Sequence, residues 1–168
     1  MATSRELKAA IATNRFGLGA RPGEIAEAKL DPEGYLLAQI QAGGADQPQY
    51  NPMPSWDRIN QFRVFQQDRR QGRRQKAAPG APTAPAPGRR ARFRMGARTG
   101  ASFRERWALF WANHFTVSGV KLITAVVVGP YEQEAIRPKV FDTFENLLIS
   151  AIVHPAMLLY LDQAQSTG

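Results

Sequence analysis

The sequence predicts an all-α fold: an irregular helical domain of about six to eight helices, interrupted by a disordered Pro/Ala/Arg-rich insertion. Three observations carry that expectation. Apolar residues recur at three- and four-residue spacing in most segments, and no two segments alternate apolar and polar residues as paired strands do. Ser, Thr, Asp and Pro stand repeatedly just ahead of those periodic runs, where helix N-termini favour them. One stretch, AAPGAPTAPAPG (77–88), offers no apolar face at all and lies between arginine clusters.

In chain order, Thr3 and Glu6 stand in capping-box spacing ahead of Leu7, Ala10 and Ile11, which share a helical face. FGLGARPGE (16–24) is a Gly-rich turn, and Pro22 suits the first turn of a short helix ending near Leu30. Asp31 and Pro32 repeat the device as cap and first helical residue, with Leu36, Leu37 and Ile40 on one face. Residues 42–54, rich in Gly, Pro and Asn, read as loop. From Ser55, the three-residue spacing of Trp56, Ile59, Phe62 and Phe65 predicts a helix to about Gln75. The 77–88 tract breaks it. The segment 69–101 is therefore expected to be a disordered basic insertion inside a single domain spanning 1–168.

Order returns at Ser102, three residues before Glu105, a second capping box. Phe103, Trp107, Phe110, Trp111 and His114 then fall at i, i+4, i+7, i+8 and i+11, a single helical stripe. LITAVVVG (122–129) is β-branched enough for a strand but lacks a partner strand, so it reads as loop or an irregular helix start. Pro130 opens a helix that Pro138 closes near Arg137. Asp142 and Glu145 are placed to cap the next helix, whose Phe144, Leu147, Leu148, Ala151 and Ile152 should face inward. Pro155 begins PAMLLYLD, apolar nearly all round. Such a helix wants partners on two sides, which predicts uncovered apolar surface.

The 168 residues, 43% of them hydrophobic, suffice for one core. The net charge of +8 is unevenly placed. Arg69, Arg70, Arg73, Arg74, Lys76, Arg89, Arg90, Arg92, Arg94 and Arg98 put ten basic groups and no acid into 69–98. Taking those ten from the 22 basic residues leaves 12 against 14 acids, a near-neutral body carrying a basic segment. That composition suits weak, non-specific contact with nucleic acid or anionic lipid. Phe93 is the aromatic interleaved in it, and a solvated low-complexity loop is the competing reading.

Absence of cysteine excludes disulfides and thiolate metal sites, and His114 and His154 are too few for a histidine-rich one, so no metal site is expected. Nothing identifies a cofactor. The N-terminus lacks the regions of a secretory signal, which makes the cytoplasm the default compartment. No apolar run approaches the ~18 residues of a transmembrane segment.

FWANHF (110–115) is the densest chemical stretch. On one reading it is the inner face of a helix, with His114 buried and bonded to a carbonyl or carboxylate, and Asn113 capping the helix end. On the other, His114 is a tunable acid–base or ligand, and Asp162 on the last helix is the carboxylate to pair with it. Asn113, His114 and Asp162 are thus the candidate catalytic residues. His154, just before Pro155, reads as a helix-junction residue. GLGARPG (17–23) fails the spacing of a dinucleotide-binding turn, and Ser118 has no nucleophile elbow around it.

NRFGLGARPGEIAEA, RERWALFWANHFTVS and GPYEQEAIRPKVFDTFENLLISAIVHPAMLLYLDQAQS, in that order, resemble the N-terminal portion of a bacterial family catalogued as domain of unknown function 1800. Trp111, Asn113, His114, Pro155, Met157, Tyr160 and Asp162 are the positions that match the family's motifs. The resemblance implies a largely helical bacterial protein with no established activity. It also implies a longer parent: members continue beyond the YLD segment into a further helical portion, so this chain is expected to be an N-terminal fragment or shortened version. Members are often encoded beside a secreted sulfatase-like companion protein, which implies an envelope-linked pathway. The first functional expectation is an uncharacterised accessory or structural domain. The alternatives are a hydrolase-type enzyme around His114 and Asp162, completed by residues beyond Gly168, and a polyanion binder acting through the arginine-rich insertion.

Overall fold

The computed structural model describes residues 4–48, 53–71, 86–163 and 166, the side chains of 86–89 excepted. Among the described residues there are ten α-helices, two π-helical segments, one 3-10 turn and no strand. The all-α expectation holds. The helices outnumber the six to eight expected because some are single turns.

The N-terminal quarter folds as α1 (Arg5–Ala10), a π-helical segment (Ile11–Phe16), α2 (Glu24–Leu30) and α3 (Pro32–Leu37). Ser4, not Thr3, caps α1: its side chain accepts from the Leu7 N–H at 3.2 Å. Thr3 lies outside the described residues, and Glu6 pairs with Lys29 across to α2 instead of closing a capping box. Asp31 and Pro32 start α3 as expected, with Asp31 Oδ1 accepting from the Gly34 N–H at 3.0 Å. Gly17 allows the turn to press on the rest of the domain. A Cβ there would sit 2.4 Å from the Thr13 carbonyl oxygen and 2.6 Å from Ser102 Oγ, closer than atoms pack.

Helix α4 (Ser55–Arg70) buries Ile59 and Phe62 and stops five residues short of Gln75. Residues 72–85 of the expected disordered segment 69–101 lie outside the described residues. The rest of that tract corrects the expectation, because Ala86–Arg98 forms α5. Alanine, arginine and methionine are good helix formers. What α5 lacks in apolar face it gains from anchors: Arg92 pairs with Glu132 at 3.0 Å, and the Arg98 carbonyl accepts from Arg21 Nη1 at 3.1 Å.

In α6 (Ser102–His114), Glu105 is not a cap. The helix N-terminus is satisfied from outside, by Gln39 Oε1 accepting from the Phe103 N–H at 2.8 Å. Trp107 Nε1 donates to the Val140 carbonyl at 2.8 Å, tying α6 to the segment before the ninth helix. The β-branched stretch becomes α7 (Leu122–Ala125) and α8 (Val128–Tyr131), an irregular helix start with Val126 and Val127 buried between them. It continues as a second π-helical segment (Glu132–Ile136) and runs through Pro138 as a 3-10 turn (Arg137–Lys139) instead of ending at Arg137.

Thr143 caps α9 (Phe144–Val153), one residue later than Asp142, and the Asp142 carboxylate accepts from the Thr143 N–H and from Asn146 Nδ2, both at 2.8 Å. Leu147 and Ala151 are buried as expected, but Phe144 and Ile152 are exposed, contrary to expectation. After His154 comes α10 (Pro155–Tyr160). The core gathers around the second π segment: Ala135 and Ile136 meet Ile59, Phe62, Ala108, Val127, Tyr131, Leu147, Ala151 and Met157. A π turn leaves helical carbonyls without their usual donors, and Ser150 Oγ supplies one to the Ala135 carbonyl at 2.9 Å.

Candidate functional site

The aromatic stretch at the end of α6 forms a continuous stack. Trp107 lies 5.3 Å from Phe110, Trp111 5.4 Å from His114 and 5.7 Å from Phe115, and Phe144 of α9 closes on Trp111 at 5.8 Å between ring centroids. The stack is not sealed. Phe110 is 51% exposed, and Phe144, Asn113 and His114 are exposed as well. His114 therefore packs against rings on one side and faces solvent on the other, correcting the expectation of a buried, hydrogen-bonded histidine. The stripe's spacing placed it correctly along α6, but the helix ends there and, among the described residues, His114 keeps an exposed face.

The expected partner goes elsewhere. Asp162 follows α10 in a left-handed turn (φ 60°), and its carboxylate takes Lys121 Nζ at 2.6 Å. The same ammonium donates to the Tyr160 carbonyl at 3.0 Å, so Lys121 and Asp162 together terminate α10. This exposed ion pair, not a His114–Asp162 pair, is what the structure forms.

The histidine in a polar centre is His154. It is 8% exposed and sits at the α9–α10 junction, where its Nδ1 accepts from the Ala156 N–H at 3.1 Å as the cap of α10. With Nδ1 committed as acceptor, the ring proton resides on Nε2, which donates to Glu134 Oε2 at 2.8 Å. Ser55 Oγ lies 3.4 Å from the same Nε2, and the Ser55 N–H donates to Glu134 Oε1 at 3.0 Å. Burial pushes the Glu134 carboxyl up, but the bonds from His154 and from the Ser55 hydroxyl and amide outweigh it and hold the carboxyl below its ordinary value. A serine, a histidine and an acid thus meet, but the wiring is not that of a nucleophile. Acid and hydroxyl share one ring nitrogen, and the other is closed by a backbone amide, so the ring has no free lone pair to take a serine proton. The cluster joins α4, the π segment and the α9–α10 junction. Its sequence signal was partial: a His directly before Pro marks a helix start, whereas Glu134, 20 residues earlier, and Ser55, 99 residues earlier, are visible only in space.

A second buried centre had no sequence signal. Arg137 is fully buried, and its Nη1 and Nη2 donate to the two oxygens of Glu105, each at 2.8 Å. Its Nε donates to Glu132 Oε1 at 2.9 Å and Nη1 also to the Asp46 carbonyl at 2.7 Å. Arg92 reaches the outer oxygen of Glu132, so two cations and two carboxylates balance. Burial works against the Arg137 charge, but the two glutamates overcome it and hold its pKa above the ordinary value. The fork geometry makes this a clamp between α6, the π segment and the 44–46 loop.

Of the basic residues singled out by composition, Arg69 and Arg70 are exposed at the end of α4. Arg73, Arg74 and Lys76 lie outside the described residues, as does the side chain of Arg89. Arg90, Arg94 and Arg98 are exposed on α5, and Arg92 is occupied by Glu132. Among the described residues, no group of three or more His, Asp or Glu side chains is placed to hold a metal ion. Nor is any described helix long and apolar enough to cross a membrane.

The family described as Protein of unknown function (DUF1800) matches residues 11–168, which takes in every element just described beyond α1. The chain belongs to the DUF1800 family. No curated protein and no solved structure matches it. Within this DUF1800 chain, the resemblance seen in FWANHF and HPAMLLYLD falls on the exposed aromatic stack and on the His154-capped helix respectively.

Proposed function

We propose that this DUF1800 domain is a non-catalytic, accessory helical scaffold whose α9 and α10 present an apolar surface to further helical chain. The observation that carries the reading is how the buried polar groups are used. The buried Glu105, Arg137 and His154 are each closed by partners that join helices, His154 by the surface carboxylate Glu134, and His154 has no ring nitrogen left for chemistry. The complementary support is surface. Ile149, Ile152 and Val153 fall at i, i+3 and i+4 on α9 and all are exposed, as are Leu158 and Leu161 at i and i+3 on α10 and its following residue. Contiguous exposed apolar faces mark interaction sites. The first occupant is the downstream helical portion that the family resemblance implies, and a sulfatase-like companion protein is the second.

The test compares the 168-residue chain with a version extended by its downstream family portion. The chain alone should bind a hydrophobic dye or self-associate, and the extended protein should do neither. A sharp, concentration-independent melting transition of the 168-residue chain without dye binding would overturn the surface. A hydrolytic activity lost in His114→Ala with the melting temperature unchanged would overturn the non-catalytic assignment. Because His114 is exposed, that substitution should itself cost no more than about 0.5–1 kcal/mol.

A further inference from the structure

Helix α5 has two unlike sides. It contains five arginines and no acid. Arg92 points to the body of the domain, where Glu132 holds it, and the C-terminal end is fixed by Arg21 Nη1 on the Arg98 carbonyl. Arg90, Arg94 and Arg98 stand at i, i+4 and i+8, about 6 Å apart along the axis, and all three are exposed. Phe93, 73% exposed, lies between Arg90 and Arg94 on the outer side. Gly96, one turn from Phe93, packs beside Leu18: a Cβ there would be 3.7 Å from Leu18 Cδ1, and Leu18 is itself exposed. The outer side of α5 is therefore an arginine row with an apolar border. The acids bonded to the anchors of α5 are already paired, Glu132 with Arg137 and Arg92, and Glu24 with Arg21 and Tyr35.

We infer that this face lies against an anionic lipid surface, a role beyond the scaffold reading and independent of it. The arginines complement phosphate and carboxylate headgroups, while Phe93 and Leu18 gain by entering the boundary below them. Nucleic acid fits less well: a base could stack on Phe93, but it offers an exposed leucine nothing. The contact is peripheral, with α5 lying on the surface and not spanning it.

The full chain is tested by co-sedimentation with phosphatidylcholine vesicles, with and without phosphatidylserine, and by binding to a single-stranded oligonucleotide. Binding should require phosphatidylserine and weaken with salt. The combined Arg90→Gln, Arg94→Gln, Arg98→Gln variant should lose about 100-fold, converted from about 1 kcal/mol per basic side chain. Phe93→Ala should lose about ten-fold, and replacement of the three arginines by lysine should restore binding, separating lost charge from lost fold. Arg69→Gln with Arg70→Gln, at the end of α4, should change little. Equal partition onto phosphatidylcholine alone, unchanged binding in the triple glutamine variant, or tighter binding to the oligonucleotide than to the vesicles would each overturn the inference.

Discussion

Removing the Glu105 carboxylate tests the buried clamp most directly. Glu105 accepts from each of the two outer nitrogens of Arg137, at 2.8 Å each, and the arginine side chain is fully buried. In Glu105→Ala the guanidinium keeps Glu132 and the Asp46 carbonyl but loses its fork partner. Breaking a buried pair from one side costs about 3–5 kcal/mol, and here the remaining charge stays buried against one carboxylate, Glu132, that it shares with Arg92. For a chain of this size, 1 kcal/mol moves the melting temperature by about 2–4 °C, so a fall of roughly 6–20 °C is expected. Arg137→Met should cost a similar amount, since it leaves Glu105 buried and Glu132 with Arg92 alone. The double variant, Glu105→Ala with Arg137→Met, should lose less than the sum of the two single losses, with a coupling of about 1–3 kcal/mol. Thermal and urea unfolding of the four proteins, followed by circular dichroism, measures each term. Additive losses, or a Glu105→Ala cost below about 1 kcal/mol, would refute the claim that the pair acts as one buried unit.

The remaining predictions concern the Glu134 cluster and the loop against Arg137. The Glu134 carboxyl is held below its ordinary value, so its contribution is present above the unfolded-state value near 4.5 and fades as pH falls through the lower folded value; Glu134→Gln should flatten the acid limb of a stability–pH curve, and an unchanged limb would contradict the assignment. Asp142, held at about 2 first by Asn146 and then by Lys139 and the Thr143 amide, should keep the wild-type curve sloping below that range, and Asn146→Ala should shorten it. Gly44 has φ 79°, and a Cβ there would lie 2.2 Å from the Arg137 carbonyl oxygen, which also accepts from the Ala45 N–H at 2.8 Å. Gly44→Ala should therefore lose more than the ~1 kcal/mol of left-handed strain alone, and a neutral outcome in urea unfolding would show that the loop is free to move off Arg137.

Helix starts and the all-α class were determined within a few residues of chain, and there the sequence sufficed. Asp31 with Pro32, and Pro155 after His154, set up helix N-termini through bonds to amides two or three residues away. Where two capping residues stood side by side, local rules chose the neighbour: the structure uses Thr143 instead of Asp142. The tertiary fold decided whatever depended on a distant partner. Glu105 has the spacing of a cap residue but becomes an ion partner because Arg137, 32 residues on, is buried against it. The arginine-rich stretch 86–98 has no apolar stripe and becomes a helix because Glu132 and Arg21 hold it. For the same reason His114 ends exposed, whereas His154, at the helix junction expected of it, gains the partners Glu134 and Ser55. Periodicity reports which side of a helix a residue occupies, not whether another element covers it, and α6 ends uncovered at His114 while α4 and the π segment close over His154.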